Sequence, residues 1–130
     1  MLLCEKEVQT CLEFGLIPFL KEYFIEVKEV SLYIHDKICI DACIIYQDHT
    51  VNMKASFLLD YQNQCLCFYD ITGSAEYLFL NIKIMNVLKQ LLKNTDVKIK
   101  DNACYYKIDL PIQSIGIQQG QLEIKLKQRT

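Results

Sequence analysis

Short polar turns punctuate the chain between residues 25 and 80, and the segments between these turns alternate apolar and polar residues. The clearest alternation covers residues 51–59, where the odd-numbered positions are apolar and the intervening ones are polar. A period of two predicts β-strands that turn one face towards a core. Because antiparallel neighbours need only short connections, the spacing of the turns predicts a mostly antiparallel sheet.

The same pattern predicts nine strands along the chain. They cover residues 25–34, 38–46, 51–59, 65–71, 75–80, 97–100, 103–110, 113–117 and 121–127. A bulge or turn at Thr72-Gly73-Ser74 separates the fourth strand from the fifth. Asp101-Asn102 is predicted to close a two-residue hairpin, because both residue types tolerate positive φ.

Two segments of the chain predict helices instead of strands. Residues 82–94 carry one apolar stripe, which predicts an amphipathic helix packed on the sheet. Asn81 is predicted to cap its first turn. The stripe consists of Ile84, Met85, Leu88, Leu91 and Leu92. Residues 5–24 also favour a helix, either in two pieces or continuous with a kink at Pro18, where the backbone lacks a donor.

These elements predict an α+β fold. A curved, mostly antiparallel sheet of about seven to nine strands is expected to pack with an N-terminal kinked helix and a second helix at about 82–94. The chain is 52% hydrophobic and 23% charged, a composition that can form a core. Its 130 residues are expected to form a single domain, 1–130.

Several strands carry apolar residues on both faces. In residues 65–71 and 75–82 neither face is polar, whereas a sheet with one wet face should alternate. Three explanations stay open: helices that cover both faces, a partner chain, or an apolar ligand in a groove.

The excess of apolar strand surface favours a non-enzymatic binding module, with a lipid or another long apolar ligand in a groove between sheet and helices. The alternative is a protein-interaction subunit whose extra apolar face forms a homo-dimer or hetero-dimer interface. The residues expected to line the groove are Leu12, Leu16, Phe19, Leu20, Phe57, Leu59, Phe68, Ile84, Leu88 and Leu91.

Catalytic chemistry finds little support in the sequence. Cys65 and Cys67 share a strand face and could begin a metal site with Cys39, Cys43, His35 or His49, but no Cys-x-x-Cys pair is present. A Cys–His nucleophile would need an orienting group that no motif supplies. The four glycines are scattered, so no phosphate-binding loop forms. We therefore expect no catalytic residue, no metal and no cofactor.

Charge and targeting signals limit the classes of partner and the cellular location that the sequence favours. The net charge is −2, and the lysines of the second half are too dispersed for a nucleic-acid surface. No apolar run approaches the roughly 20 residues of a membrane-spanning helix, so no transmembrane segment is expected. The first ten residues lack the apolar core of a secretory signal. Together with seven cysteines outside any disulfide framework, this favours a cytoplasmic location.

Two segments carry a resemblance to a known family. They are CLCFYDITG at 65–73, followed by a strand and a helix, and LPIQSIGIQQGQLEIK at 110–125. The second is similar to the C-terminal strands of LmeA-type phospholipid-binding domains, which belong to the TULIP-like folds. The resemblance implies a curved antiparallel sheet that wraps a helix and holds acyl chains, with no catalytic residue.

Overall fold

A computed structural model describes residues 1–128 and contains two helices and ten strands in that part of the chain. The elements run in this order: β1 (Leu2–Leu3), α1 (Glu5–Glu22), β2 (Glu26–Ile34), β3 (Ile38–Tyr46), β4 (His49–Gln62), β5 (Cys65–Tyr77), β6 (Leu80–Lys83), α2 (Ile84–Leu92), β7 (Lys98–Lys100), β8 (Ala103–Lys107), β9 (Ile112–Gln118) and β10 (Gln121–Leu126).

The strands form two antiparallel sheets. The large sheet has the order β2-β3-β4-β5-β8-β7, and β6 pairs with the C-terminal half of β5. The small sheet has the order β1-β10-β9. Every pairing is antiparallel. The predicted α+β fold with an antiparallel sheet is therefore confirmed.

One face of the large sheet, which we call the inner face, is covered by other elements. The small sheet packs on it through β9 and β4, α1 packs along β2, and α2 packs on β4, β5 and β6. The larger apolar cluster lies beneath the small sheet and includes Ile38, Phe57 and Leu122. A second cluster of Ile25, Ile44, Val51 and Ala75 lies towards the β3–β4 turn.

Helix α1 is continuous from Glu5 to Glu22 and includes Pro18, so the prediction of two pieces is wrong. Its first turn is fixed by a capping box, in which the Cys4 backbone N–H donates to Glu7 Oε1 at 3.1 Å. Beyond the first turn, Gln9 anchors the first half of α1 to β2. Pro18 lies in the second half, where its missing N–H removes one backbone hydrogen bond but does not end the helix.

Two predicted boundaries in the middle of the chain are wrong. Strand β5 passes through Thr72-Gly73-Ser74 without a turn, because Gly73 lacks a Cβ and pairs closely with Ala55 of β4. The bulge that was the other possibility lies directly before this point, where the β4–β5 register shifts between Tyr69 and Thr72. The turn falls instead at Leu78-Phe79, between β5 and β6.

The second helix is shorter than predicted. Asn81 lies in β6 opposite Glu76, so it does not cap α2, which begins at Ile84 after Lys83. Pairing with β5 keeps residues 80–83 extended. The hairpin at Asp101-Asn102 is as predicted, with positive φ at Asp101.

Candidate functional site

Residues in the middle of the inner face are less completely buried than those at its two ends. Strands β3 and β4 pair Ile38 with Phe57 at one end and Ile44 with Val51 at the other, and all four residues are buried. The two pairs between them are Ile40 with Ala55 and Ala42 with Met53, and these four residues are only partly buried. We call them the central strip.

Two positions of the central strip carry small side chains. Ala42 and Ala55 each occupy a position where the neighbouring pairs place isoleucine or phenylalanine, and Gly73 pairs with Ala55 on the next strand. The side chains at these positions are smaller than those of the neighbouring pairs, although Ile40, Met53 and Ala55 pack against the larger cluster. The strip is apolar, as a site for an apolar molecule requires.

Helix α1 borders the strip on one side and is held there by polar contacts with the free edge of β2. Gln9 Nε2 donates to the Val30 carbonyl oxygen at 3.0 Å, and the Leu32 N–H donates to Gln9 Oε1 at 3.2 Å. The Ile34 N–H donates to Glu5 Oε2 at 2.6 Å. These bonds satisfy edge groups that would otherwise be open to another strand. All of them involve the first half of α1.

Helix α2 borders the strip on the other side. Its buried residues are Ile84 and Met85, and Val87, Leu88 and Leu91 pack partly buried against the two clusters. Leu20 of α1 and Leu91 of α2 pack on the same second cluster, so the two helices approach each other at that end of the sheet. The central strip on β3 and β4 therefore lies between the two helices.

The structure brings most of the predicted lining residues to this face. Phe57 and Ile84 are buried members of the larger cluster. Four more of the predicted lining residues pack against that cluster: Leu12, Leu59, Phe68 and Leu88. Leu20 and Leu91 pack on the second cluster. Phe57 and Phe68 meet edge to face with ring centroids 5.6 Å apart.

Two predicted lining residues belong to neither cluster. Leu16 is exposed, and Phe19 packs on Tyr23 with ring centroids 5.2 Å apart. They lie in the second half of α1, where Phe14 is 84% exposed and Ile17 is also exposed. The run FGLIPFL at 14–20 is apolar around the whole helix, and this signal could have identified Phe14 and Ile17 as surface residues in need of a partner.

Two surface depressions are found in residues 1–128. One, of about 370 Å³, is lined by polar residues of the opposite face of the large sheet, among them Glu29, Asp41 and Glu76, and also by Ala42 and Met53 of the central strip. The other, of about 520 Å³, lies between the β2–β3 and β9–β10 turns. The ten predicted lining residues take no part in either depression.

The cysteines do not form an activated site in the described part of the chain. No group of three or more His, Cys, Asp or Glu side chains converges as a metal site within residues 1–128. Burial raises the pKa of the Cys104 thiol, and burial together with neighbouring Cys65 and Asp60 raises the pKa of Cys67. Both thiols are therefore held in the protonated, weakly nucleophilic form.

Comparisons with known proteins return no match to any protein-family model, curated protein or solved structure. The resemblance to LmeA-type domains stays a prediction. Neither helix in residues 1–128 combines the length and the apolar character needed to cross a bilayer.

Proposed function

We propose that the protein is a non-enzymatic binding module that holds a lipid or another long apolar ligand over the central strip, between α1 and α2. The carrying observation is the partial burial of Ile40, Ala42, Met53 and Ala55 between fully buried pairs on the same two strands. The middle of a covered sheet face is where a self-sufficient core would be best packed.

Energetics favour a chain-like ligand. Each methylene buried against the strip contributes roughly 0.8 kcal/mol, so about ten of them supply roughly 8 kcal/mol before the cost of immobilising the ligand. The strip offers no charged side chain, so affinity would depend on the length of the apolar chain. Specificity for a headgroup would have to come from residues at the mouth of the groove.

The second half of α1 would serve as the movable wall. Gln9 and Glu5 anchor only the first half of the helix to β2. In the second half, Gly15 and Pro18 weaken the helix, and Phe14, Leu16 and Ile17 are exposed. Outward movement of residues 14–22 would open the space above Ala42 without breaking the contacts of the first half.

The test places a larger side chain on the strand surface beneath the proposed ligand. Ala42→Leu adds three carbons where we expect free space, so the variant should keep the wild-type midpoint of thermal unfolding. It should weaken binding of a fluorescent fatty acid at least tenfold. The matched control is Asn52→Leu, a similar apolar addition at an exposed position on the opposite face of β4; it should bind like the wild type.

The result that would overturn this proposal is equally definite. If the space is already filled, the larger residue at position 42 forces overpacking that destabilises the protein by about 1–3 kcal/mol. A lowered unfolding midpoint for Ala42→Leu, with fatty-acid binding absent from the wild type, would exclude the groove.

The alternative function is a protein-interaction subunit, which Phe14 and Ile17 favour because they are apolar and exposed on one helix. On this alternative the second half of α1 meets a partner chain or a second copy. Light scattering at rising concentration separates the two: a monomer that carries lipid supports the binding module, and a ligand-free dimer supports the interface.

A further inference from the structure

The β5–β6 turn combines a strained backbone with exposed apolar side chains. Tyr77 pairs with Leu80, so Leu78 and Phe79 are the two central residues of the hairpin, and their φ values are 50° and 68°. Positive φ at both positions is normally left to Asn and Gly, because a branched or aromatic side chain is strained there. Phe79 is fully exposed, and Leu78 and Leu80 are more than half exposed.

The end of α1 repeats this combination. The Phe24 N–H donates to the Lys21 carbonyl oxygen at 3.1 Å, and the Ile25 N–H donates to the Leu20 carbonyl oxygen at 3.0 Å. This pair of bonds ends a helix with a left-handed residue, usually glycine. Here the residue is Phe24, with φ of 61° and a side chain that is 93% exposed.

Both turns emerge from the same end of the molecule. Ile25, directly after Phe24, is a member of the second cluster, and Tyr77, directly before Leu78, packs against that cluster. Leu20 and Tyr46 pack there too. Phe24, Leu78, Phe79 and Leu80, which we call the apolar tips, therefore lie at the same end of the large sheet, with β3 and β4 between the two turns and tyrosines 46 and 77 packed on the cluster behind them.

We propose that the apolar tips insert into the surface of a zwitterionic lipid bilayer. Exposed apolar side chains at the ends of turns can insert into a fluid surface that closes around them. Four such side chains offer on the order of 500 Å², less than the roughly 800 Å² per partner of a stable protein interface. Tyrosine side chains suit the headgroup level behind an inserted apolar residue.

Charge decides between lipid surfaces. The ionisable residues beside the two turns and the β3–β4 turn are acidic in the majority. The acidic ones are Glu22, Glu26, Asp48 and Glu76, and the basic ones are Lys21, Lys28 and Lys83. Because these charges nearly balance, an anionic surface would gain no net attraction over neutral headgroups. Docking is therefore expected on phosphatidylcholine, with little dependence on salt.

Bilayer docking rests on residues distinct from the central strip, so each proposal can fail alone. The chain has no tryptophan, and Phe79→Trp therefore installs a single fluorescent reporter at the tip. With phosphatidylcholine vesicles its emission should shift to shorter wavelength, and lipids brominated along the acyl chain should quench it. Adding phosphatidylserine should not strengthen binding.

The decisive variant is the double substitution Leu78→Asn with Phe79→Gly. It places at the turn the residues that the backbone favours, so folding should be unimpaired or improved, while vesicle binding in a flotation assay should fall at least tenfold. Leu126→Asn, an exposed leucine of the small sheet, is the matched control and should float like the wild type.

Three results would overturn the proposal. They are a wild-type protein that does not float with phosphatidylcholine vesicles, binding that needs phosphatidylserine and falls with salt, and a double variant that binds like the wild type. Tip-dependent self-association without vesicle binding would assign the tips to a protein contact instead.

Discussion

Gly73 shows how a single missing side chain allows the two longest strands to pair. A Cβ at this position would lie 2.7 Å from the Cα of Ala55, and the Gly73 backbone has a φ of 142°. The sequence pattern marked Gly73 as a turn because glycine is common in turns. Its role here is close approach of two strands, which depends on a partner strand distant in sequence and so is invisible to a local pattern.

Substitution at the glycines separates these roles. Gly73→Ala is expected to destabilise the protein by about 1–3 kcal/mol from backbone strain alone, with the clash against β4 in addition. Gly15→Ala, within α1 and facing open space, should stabilise the protein by about 0.5–1 kcal/mol. Urea unfolding measures both; equal stability of the two variants would contradict the assigned role of Gly73.

Cysteine reactivity tests the non-enzymatic assignment at the residue scale. Cys11 is exposed on α1, whereas Cys104 is buried and its pKa is raised by that burial. Alkylation of the native protein at pH 7.5 should modify Cys11 first and Cys104 last, as followed by peptide mass spectrometry. A thiol other than Cys11 that reacts orders of magnitude faster than the rest would indicate an activated nucleophile and favour an enzyme.

Among the elements, α1 differs most from its sequence-based description. It runs unbroken through Pro18, and its first half docks on β2 through hydrogen bonds of Gln9 and Glu5 that no local rule contains. The second helix, α2, was predicted within two residues at each end, because one clear apolar stripe determines both the extent and the buried face of that helix.

The N-terminus of α1 carries a pH dependence. Hydrogen bonds from the Cys4 backbone N–H and thiol hold the pKa of Glu7 below its usual value. A carboxyl whose pKa is lowered by folding stabilises the protein above its unfolded value of about 4.3, and that stabilisation is lost as the pH falls through the folded value. Acidification should therefore fray the first turn of α1.

Glu7→Gln provides the matched comparison for this effect. At pH 7 the variant should unfold at slightly lower urea concentration than the wild type, and the difference should disappear near pH 2, where the wild-type carboxyl is protonated. Circular dichroism at 222 nm follows both transitions. A difference that persists unchanged at pH 2 would show that the Glu7 charge is not responsible.

For the whole molecule, the fold class and the covered face could be predicted from the sequence, and the openness of that face could not. Alternation of apolar residues indicates which side of β3 and β4 points inward. How far α1 and α2 cover that side depends on where each helix docks, and Ala42 and Ala55 in the middle of the sheet are partly buried. Those two alanines were absent from the predicted lining, because small residues contribute little to an apolar pattern.

The apolar tips were missed for a related reason. Leu78 and Phe79 continue the apolar run of residues 77–80, and a local pattern assigns such a run to a strand interior. Their exposure follows from the pairing of β6 with β5, which puts the turn where no turn residue is present. The central strip and the apolar tips thus both depend on how the strands pair, which a local sequence pattern does not contain.

Native mass spectrometry of the purified protein tests the groove over the central strip most directly. We predict one lipid or fatty acid bound per chain, released on denaturation, retained by the Leu78→Asn, Phe79→Gly double variant and lost in Ala42→Leu. A wild-type protein detected only at the mass of the unliganded chain, even after incubation with fatty acids, would contradict the proposed groove. An Ala42→Leu variant that keeps the same bound ligand would also contradict it.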